Sequence, residues 1–268
     1  MSKTILITGA TDGIGLVTAQ MLVEQGHHVI VHGRNPAKID AVVAQLREIG
    51  SGQVASVVAD LSNIADIAPM AAAVASKVER LDVLINNAGV FTSGAPITAD
   101  NLDVRFAVNT IAPYALTKAL LPLLDANSRV VNLSSAAQAP VDLHALVNPV
   151  RLGDNAAYAQ SKLALTMWTK QWGEQLKGQG PMLVAINPKS FLGSKMVKDA
   201  YGIAGNDLRL GADILVRAAL ADEFADAHGR YFDNDAERFA NPHPQAMSSA
   251  NNQALIDTIE QWLAQHSS

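Results

Sequence analysis

The sequence predicts an α/β protein built on one doubly wound sheet of about seven mostly parallel strands, with helices on both faces of the sheet. Short apolar runs rich in valine, isoleucine and leucine alternate along the chain with longer segments of helical period. Successive positions in these runs are apolar, so both faces of each strand are expected to be covered, as in a parallel sheet. Neither a repeat nor a linker is visible, and residues 1–268 are therefore expected to form a single domain.

The predicted elements follow one another in a regular order. The predicted strands are 5–8, 28–33, 53–60, 81–89 with its exit loop, 128–135, 181–188 and 229–235. The predicted helices are about 13–25, a segment opened by Pro36, an alanine-rich segment to about 79, 101–124, 155–176, a segment ending near 221, and 251–266. Pro113 is expected to bend or break the helix at 101–124. Segment 136–155 has no clear period and is expected to be a loop or a small excursion, and segment 189–206 is punctuated by glycines.

Composition argues against several classes of function. The chain has a net charge of −5 and no run of Lys or Arg, which argues against nucleic-acid binding. It has no cysteine, which excludes disulfides and thiolate ligands, and its seven histidines lack metal-ligand spacing, so no metal site is predicted. The most apolar long stretch, 106–124, contains Asn109, Pro113 and Lys118, so no membrane span is predicted. The start MSKTILIT lacks signal-peptide features, and a cytoplasmic location is expected.

A glycine-rich stretch, TGATDGIG, follows the first predicted strand at residues 8–15. Its three glycines would permit a tight turn, close approach of the backbone to a pyrophosphate, and close packing of helix on strand. The following helix would direct free N–H groups and the positive end of its dipole at a phosphate. The residues expected to contact a dinucleotide here are Gly9, Thr11, Asp12, Gly13, Ile14 and Gly15. The alternative is a glycine-rich turn that holds no ligand.

The second predicted strand ends in HGRN, residues 32–35. An acidic residue at this place usually holds the free ribose 2′-hydroxyl of NAD(H). This chain has His32 there, followed by Arg34, whose guanidinium matches a 2′-phosphate in charge and in fork geometry. The pattern therefore favours NADP(H) over NAD(H). The alternative is that Arg34 caps a surface loop.

The third and fourth predicted strands also end in candidate cofactor contacts. Asp60 and Leu61 follow the third strand, where a carboxylate could accept a hydrogen bond from an adenine amino group, although aspartate is also a common helix N-cap. Asn87, Ala88 and Gly89 follow the fourth strand. The two small residues would leave room for the cofactor, and Asn87 could brace the backbone.

A tyrosine and a lysine stand four positions apart in AYAQSK, residues 157–162. Four residues make about one helical turn, so Tyr158 and Lys162 would leave the same face of a helix. Together with the stretches above, this pair resembles the short-chain dehydrogenase/reductase family, in its retinol-dehydrogenase-like and carbonyl-reductase-like branches. The residues that carry the resemblance are TGATDGIG, Asp60-Leu61, NNAG at 86–89, Asn109, Ser135 and Tyr158-Ala-Gln-Ser-Lys162.

The resemblance implies a Rossmann-type fold and a role for each residue. Tyr158 would be the general acid for carbonyl reduction or the base for alcohol oxidation, and Lys162 the cation that lowers the tyrosine pKa and holds the nicotinamide ribose. Ser135 would hydrogen-bond the substrate oxygen as charge develops on it. Asn109 would hold a water that passes protons to Lys162. Pro188, which follows the sixth strand, would contact the cofactor.

Two of these assignments leave alternatives open. In the family's Ser-Ser pattern the second serine usually carries the role, so Ser135 is preferred to Ser134, which could instead bond the backbone. Strand alternation would allow only one of the two to face the cleft. Asn109 could alternatively be a satisfied amide in the core.

The chain departs from the family pattern after the sixth strand, in INPKSFLGSKMV at 186–197. Lys189 stands where the family usually has glycine, and Ser194 lies slightly beyond the common position of a serine or threonine. A glycine there usually serves a close approach or a positive φ. Lys189 could crowd the cofactor, point to solvent, or add positive charge that favours an acidic substrate.

The sequence therefore predicts an NADP-dependent oxidoreductase that interconverts a small-molecule carbonyl and an alcohol within one dinucleotide-binding and catalytic domain. Segments 136–155 and 189–206 are expected to wall the substrate pocket. An NAD-linked alcohol dehydrogenase and an NADP(H)-binding regulator without turnover are the alternatives. The resemblance also implies a possible homodimer or homotetramer formed through helices 101–124 and 155–176.

Overall fold

The protein was analysed as a computed structural model, which describes residues 2–266 apart from the side chains of Lys195, Ala200 and Tyr201. The chain folds around one eight-stranded sheet. Its strands are β1 Thr4–Ile7, β2 His28–Gly33, β3 Val54–Val58, β4 Val83–Asn86, β5 Arg129–Leu133, β6 Met182–Asn187, β7 Arg230–Asp233 and β8 Arg238–Ala240. The spatial order is β3-β2-β1-β4-β5-β6-β7-β8, and every neighbouring pair is parallel except β7 with β8.

Helices connect the strands and cover the sheet. They are α1 Gly13–Glu24, α2 Pro36–Ile49, α3 Ile67–Ala75, α4 Val104–Phe106, α5 Ala112–Leu120, α6 Leu143–Val147, α7 Asp154–Gln175, α8 Lys195–Tyr201, α9 Leu208–Leu220 and α10 Ser249–His266. The predicted doubly wound, mostly parallel sheet is confirmed. The sequence did not predict the antiparallel edge strand β8, because three residues are too short to show a period.

Side chains of each central strand alternate between two buried layers. On β1, Ile5 and Ile7 pack into one cluster with side chains of α1, α2 and α9. Leu6 points to the opposite layer, which contains side chains of α3, α5 and α7. Because both layers are apolar, the strands could be recognised from continuous apolar runs, as parallel strands usually can.

The predicted helix at 101–124 is divided by a π-helical turn. The helical segment begins at Val104 with α4, and a π-helical turn at Ala107–Ile111 separates α4 from α5. Pro113 lies in the first turn of α5, where proline is tolerated. Because proline has no N–H, the carbonyl of Asn109 lacks the donor that a regular α-helix would supply from four residues on. The break expected at Pro113 therefore starts several residues earlier.

The two segments expected to wall the substrate pocket, 136–155 and 189–206, each contain a short helix. Asp142 caps α6 by accepting hydrogen bonds from the N–H groups of His144 and Ala145, at 2.8 and 3.3 Å. Ser194 caps α8 in the same way through Val197 N–H, at 3.3 Å. Five and seven residues are too few for hydrophobic periodicity to reveal a helix.

The C-terminal helix α10 packs on α7 and extends to α5. Glu260 of α10 accepts hydrogen bonds from the Tyr114 hydroxyl, at 2.5 Å, and from the Lys118 ammonium. Apolar residues such as Ile259 and Trp262 are buried beneath it. Helix α10 therefore covers part of the outer surface of α5 and α7, the helices expected to form an oligomer interface. The oligomeric state stays a prediction.

None of the helices in the described part of the chain combines the length and apolar character that a bilayer crossing requires. The cytoplasmic location stays a prediction from the sequence. Within residues 2–266, no cluster of three or more histidine, aspartate and glutamate side chains has an arrangement suited to a metal ion.

Candidate functional site

The glycine-rich turn lies between the end of β1 and the start of α1, in close contact with the loop after β4. Gly9 has a φ of +64°, and a Cβ there would lie 2.8 Å from the Cα of Ala88. A Cβ on Gly15 would lie 2.4 Å from the carbonyl oxygen of Gly9. Only glycine fits these two positions: conformation and contact both exclude a side chain at Gly9, and contact excludes one at Gly15.

Asn87 braces this turn. Its side-chain amide donates to the carbonyl oxygens of Thr8 and Gly9, both at 2.9 Å. The Thr8 hydroxyl in turn accepts from the N–H of Ala88, at 3.1 Å. The loops after β1 and β4 are therefore fixed to each other, and the N-terminus of α1 keeps a defined position at the carboxyl edge of the sheet.

The carboxyl ends of β2 and β3 form the adjacent part of this edge. Arg34 is exposed, and Asn35 beside it caps α2 by accepting from Lys38 N–H at 3.1 Å. Asp60 uses one carboxylate oxygen to accept from the N–H and hydroxyl of Ser62, at 3.0 and 2.7 Å. Asp60 thus stabilises the turn after β3 while its side chain borders the cleft.

A cavity of about 340 Å³ runs along this edge of the sheet. We refer to it as the larger cavity, because a cavity of about 180 Å³ adjoins it. Of the residues predicted to bind a cofactor, those lining it are Gly9, Thr11, Asp12, Gly13, Ile14, Arg34, Asp60, Leu61, Asn87, Ala88, Gly89, Tyr158, Lys162 and Pro188. Gly15 lies behind the turn rather than in the lining. Residues that come from five strand ends and α7 are therefore brought to one cleft.

Tyr158 and Lys162 lie one turn apart on α7, as their spacing predicted. The Lys162 ammonium is 5.7 Å from the centre of the Tyr158 ring and donates to the carbonyl oxygen of Leu133 at 2.7 Å. Lys162 is only 3% exposed, and burial lowers its pKa to about 7. The Tyr158 ring also packs on Phe91, with ring centres 4.9 Å apart. A cation with one protein acceptor therefore lies beside the phenol.

Ser134 and Ser135 have different hydrogen-bond surroundings, although both border the cleft. The Ser134 hydroxyl is buried against α7, where it bonds the Thr166 hydroxyl at 2.6 Å and donates to the Lys162 carbonyl at 3.3 Å. The Ser135 hydroxyl is half-buried and accepts only from Ala137 N–H, at 3.1 Å. Of the two, Ser135 keeps a hydroxyl proton with no acceptor among the described side chains and backbone.

The smaller cavity, of about 180 Å³, adjoins the larger one. Ser135 and Lys189 line it together with apolar side chains, among them Phe91, Phe191 and Val197. Tyr158, Ile14, Ser134, Pro188, Ser194 and Met196 line both cavities. The two cavities therefore meet at the Tyr158 side chain.

Asn109 lies behind the lining, in the π-helical turn. Its amide donates to the Val90 carbonyl and to the Ser161 hydroxyl, both at 2.9 Å, while its oxygen accepts from Val90 N–H at 2.8 Å. The side chain is thus satisfied within the protein, which was the alternative interpretation of this residue. Its backbone carbonyl, which lacks the usual α-helical donor, is the better candidate to hold a water.

Lys189 occupies a backbone conformation that favours glycine, with a φ of +128°. Residues on both sides of Lys189 bond to Asp235, just after β7. Ser190 donates to it through its N–H and its hydroxyl, at 3.0 and 2.5 Å, and Asn187 donates to it at 2.9 Å. Burial raises the pKa of Asp235, but these hydrogen bonds and the charge of Lys189 outweigh it and hold that pKa below its usual range. The surrounding network therefore maintains a strained turn without glycine.

Replacing Lys189 by glycine is expected to raise the free energy of unfolding by about 1 kcal/mol. The strain costs about 1–3 kcal/mol, and the added freedom of glycine in the unfolded chain offsets about 0.5–1 kcal/mol of that gain. Urea denaturation measures the change. Lys189→Ala is the control, because it removes the charge but keeps the Cβ and should show no comparable gain. An equal gain in both variants would assign the effect to the charge instead.

Sequence reasoning missed two residues of the cleft. Phe91 and Val108 line it but belong to no local motif. Ser194 and Met196 also line it, and they belong to segment 189–206, which was expected to wall the pocket. The positions of Phe91 and Val108 depend on how the loop after β4 and the π-helical turn at Ala107–Ile111 pack beside the sheet edge, which short-range patterns do not record. The deviation at Lys189 was the one signal that pointed to unusual backbone in this region.

The comparisons with known proteins agree with this fold. The family model for short chain dehydrogenases matches residues 3–201. Retinol dehydrogenase 13 of Homo sapiens is 33% identical over 264 residues, covering 91% of this chain and 79% of that protein. An uncharacterised protein from Mycobacterium Paratuberculosis has a solved structure with a TM-score of 0.81 and 28% identity, covering 97% of this chain and 92% of that chain.

A second solved structure, a metagenomic short-chain oxidoreductase in complex with NADP, has a TM-score of 0.63 and 28% identity, covering 82% of this chain and 91% of that chain. The matches define the class of protein as an oxidoreductase that acts on CH–OH groups. The chain belongs to the short-chain dehydrogenase family. The resemblance to the retinol-dehydrogenase-like branch is confirmed by its relatives.

Proposed function

We propose that this protein is an NADP(H)-dependent oxidoreductase that transfers a hydride between the nicotinamide and a carbonyl or alcohol carbon, with Tyr158 as general acid and base. The observation that carries the proposal is the position of Tyr158. Its side chain lies where the larger and smaller cavities meet, and the Lys162 ammonium lies 5.7 Å from its ring centre. A proton donor at that junction would serve a substrate in one cavity and a cofactor in the other.

The residues of the larger cavity fit a dinucleotide. The turn at Gly9 and Gly15 leaves no room for a Cβ but brings backbone N–H groups and the N-terminus of α1 to the cleft, as a pyrophosphate requires. Asp60 and Leu61 border the part suited to adenine, and Lys162 the part suited to the nicotinamide ribose. When bound, the nicotinamide would supply the hydride chemistry. The NADP complex of the metagenomic relative supports this assignment.

The preference for NADP(H) rests on the end of β2. Arg34 is an exposed cation on the cavity wall, and the neighbouring His32 replaces the acidic side chain that would repel a 2′-phosphate. A guanidinium can form two hydrogen bonds to a phosphate, and such charged hydrogen bonds contribute about 1.5–3 kcal/mol each.

Replacing Arg34 by alanine is expected to raise the Kd for NADPH by about 10- to 100-fold, corresponding to the loss of one charged hydrogen bond. The Kd for NADH should change by less than about threefold, because NADH has no 2′-phosphate. Fluorescence titration with both nucleotides measures the difference. Arg209→Ala, which removes an exposed arginine outside the larger cavity, is the matched control. An equal loss of NADH affinity would contradict the specific role of Arg34.

The residues around Tyr158 supply a proton route for carbonyl reduction. The Tyr158 hydroxyl would donate its proton to the substrate oxygen as negative charge develops there, and the Ser135 hydroxyl would donate a second hydrogen bond. The Lys162 ammonium stabilises the phenolate that remains. A water on the Asn109 carbonyl would return a proton through Lys162. Alcohol oxidation uses the same groups in the reverse direction.

The smaller cavity favours an apolar substrate. Phe91, Phe191, Leu192, Met196 and Val197 contribute its apolar walls. Retinol dehydrogenase 13, by its name, acts on a largely apolar alcohol, which is consistent with such walls. The regulator without turnover has less support, because the proton donor, the cation and the serine are all present in one cleft.

The decisive test is NADPH consumption in the presence of a panel of apolar aldehydes and ketones, followed by NADP reduction with the matching alcohols. Steady turnover of at least one carbonyl, with weaker or no turnover from NADH, is the expected result. Tight NADPH binding without turnover of any compound would favour the regulator, and a preference for NADH would favour the NAD-linked alternative.

A further inference from the structure

His32 is a buried polar side chain at the carboxyl end of β2, between the glycine-rich turn and the end of β3. It is 3% exposed. Its Nδ1 accepts a hydrogen bond from the N–H of Gly9 at 3.1 Å, and its Nε2 lies 3.1 Å from the carbonyl oxygen of Ala59. Since a nitrogen that accepts carries no proton, Nε2 must carry the proton and donate to Ala59. One imidazole ring thus links the two segments on either side of its own strand.

These contacts require a neutral ring. Burial lowers the pKa of His32 to about 4, against a smaller opposing effect from its bond to Ala59 and from the Asp60 carboxylate. The other charged side chains of the same cavity are Asp12, Arg34 and, at its far end, Lys162. Protonation at Nδ1 would set an N–H against the N–H of Gly9 and break that hydrogen bond.

Backbone hydrogen bonds already connect β2 to the glycine-rich turn and to the end of β3. The His32 side chain adds a hydrogen bond to a different peptide of the turn. Ala10 N–H donates to the His32 carbonyl at 2.9 Å, and Ala59 N–H donates to the Gly33 carbonyl at 3.3 Å. The imidazole acts one residue earlier on the turn, at the peptide N–H of Gly9, whose φ of +64° starts the phosphate-facing part of the turn. The orientation of that peptide therefore depends on a side chain.

We propose that His32 is a positioning residue for the dinucleotide, whose neutral imidazole sets the distance between the phosphate-facing turn at Gly9 and the adenine-facing end of β3 at Ala59. The proposal rests on the proposed function of the larger cavity. His32 acts through Gly9 and Ala59 rather than on the reacting atoms, so its effect should appear in cofactor affinity and not in the chemical step.

Three substitutions separate the two hydrogen bonds. His32→Ala removes both. His32→Asn keeps an acceptor near the place of Nδ1, and His32→Gln keeps a donor near the place of Nε2. Loss of a neutral hydrogen bond lowers an equilibrium constant by about two- to tenfold. We expect the Kd for NADPH to rise by about tenfold or more in His32→Ala and by less than about threefold in His32→Asn, with His32→Gln between them.

The measurements are the Kd for NADPH by fluorescence titration, kcat at saturating NADPH, and the melting temperature of each variant. His28→Ala is the matched control, because it removes a half-buried histidine from the other end of the same strand. An unchanged kcat with a raised Kd supports the inference. A lowered melting temperature with an unchanged Kd in His32→Ala would overturn it, because the residue would then be merely structural.

A pH titration of NADPH affinity keeps the inference testable if His32→Ala does not fold. Between pH 6 and about 4, the wild-type affinity should fall more steeply than that of His32→Asn, whose side chain cannot take up a proton. Parallel curves would overturn the inference. A wild-type protein that binds neither NADPH nor NADH would instead defeat the proposed function, so the two failures are distinguishable.

Discussion

Replacing Tyr158 by phenylalanine is expected to lower kcat for carbonyl reduction by about 10²- to 10⁴-fold, the usual contribution of a general acid. The change removes only the hydroxyl group. The ring would keep its packing on Phe91, 4.9 Å away, and its place beside the Lys162 ammonium. We therefore expect the Kd for NADPH and the melting temperature to remain close to those of the wild type, while steady-state and single-turnover kinetics both show the loss.

Tyr114→Phe is the matched control for this variant. It also removes a phenolic hydroxyl, but one that donates to Glu260 on the far side of α5 and lines neither cavity. Its kcat should stay near the wild-type value. If Tyr158→Phe kept more than about a tenth of the wild-type kcat, a general acid at this position would be ruled out.

Under the proposed function, Lys162 would give carbonyl reduction a dependence on pH. Because its pKa is lowered to about 7, the ammonium is mostly present below that pH and is increasingly lost above it. A neutral amine would no longer stabilise the phenolate left on Tyr158. A bound dinucleotide, which carries negative charge, would favour the ammonium and shift this loss to higher pH.

The parts of the site that were predictable from the sequence are those set by local geometry. Gly9, Gly13 and Gly15 needed only their position between a strand and a helix to indicate a phosphate-facing turn. Tyr158 and Lys162 needed only helical spacing to share a face. Ser135 was preferred to Ser134 from the family's Ser-Ser pattern, and the structure gives the Ser134 hydroxyl partners on α7.

The remainder depends on contacts between distant segments, which no local pattern contains. The Asn109 side-chain amide hydrogen-bonds the backbone of Val90, nineteen positions earlier in the chain. Its position within the helix could not reveal that partner. His32 could be identified as a replacement for an acidic residue, but its links to Gly9 and Ala59 required three adjacent strands in register. At Lys189 the sequence showed that the usual glycine is absent. It did not show the hydrogen bonds of Asn187 and Ser190 to Asp235 that hold the strained turn.

A buried ion pair beside α7 also lay outside the reach of sequence patterns. Arg105 and Asp103 are each 1% exposed, and the guanidinium donates to both carboxylate oxygens, at 2.8 and 2.6 Å. Arg105 further donates to the Phe91 carbonyl, at 3.3 Å, and to Asp154 in the first turn of α7. One side chain thus joins the loop that carries Phe91 to the start of the helix that carries Tyr158.

Replacing Asp103 by asparagine is expected to lower the free energy of unfolding by about 3 kcal/mol and the melting temperature by about 6–12 °C. Asparagine keeps an oxygen that can cap the helix start but leaves the Arg105 charge buried with only Asp154 to compensate it. Because Asp154 is half exposed, its attraction is screened, and Asp154→Asn should cost less than Asp103→Asn. Urea denaturation and thermal unfolding measure both.

Glu223→Gln is the control for this series, since it removes one partner of an ion pair with Arg217 that is exposed and should cost no more than about 1 kcal/mol. The double variant Asp103→Asn with Arg105→Met removes both charges and should recover part of the loss, because no buried charge remains unpaired. A double variant as unstable as the sum of the single ones would contradict the coupling. If Arg105 also positions α7, the double variant should regain stability without regaining the wild-type kcat, because the hydrogen bonds of Arg105 to the Phe91 carbonyl and to Asp154 are then lost.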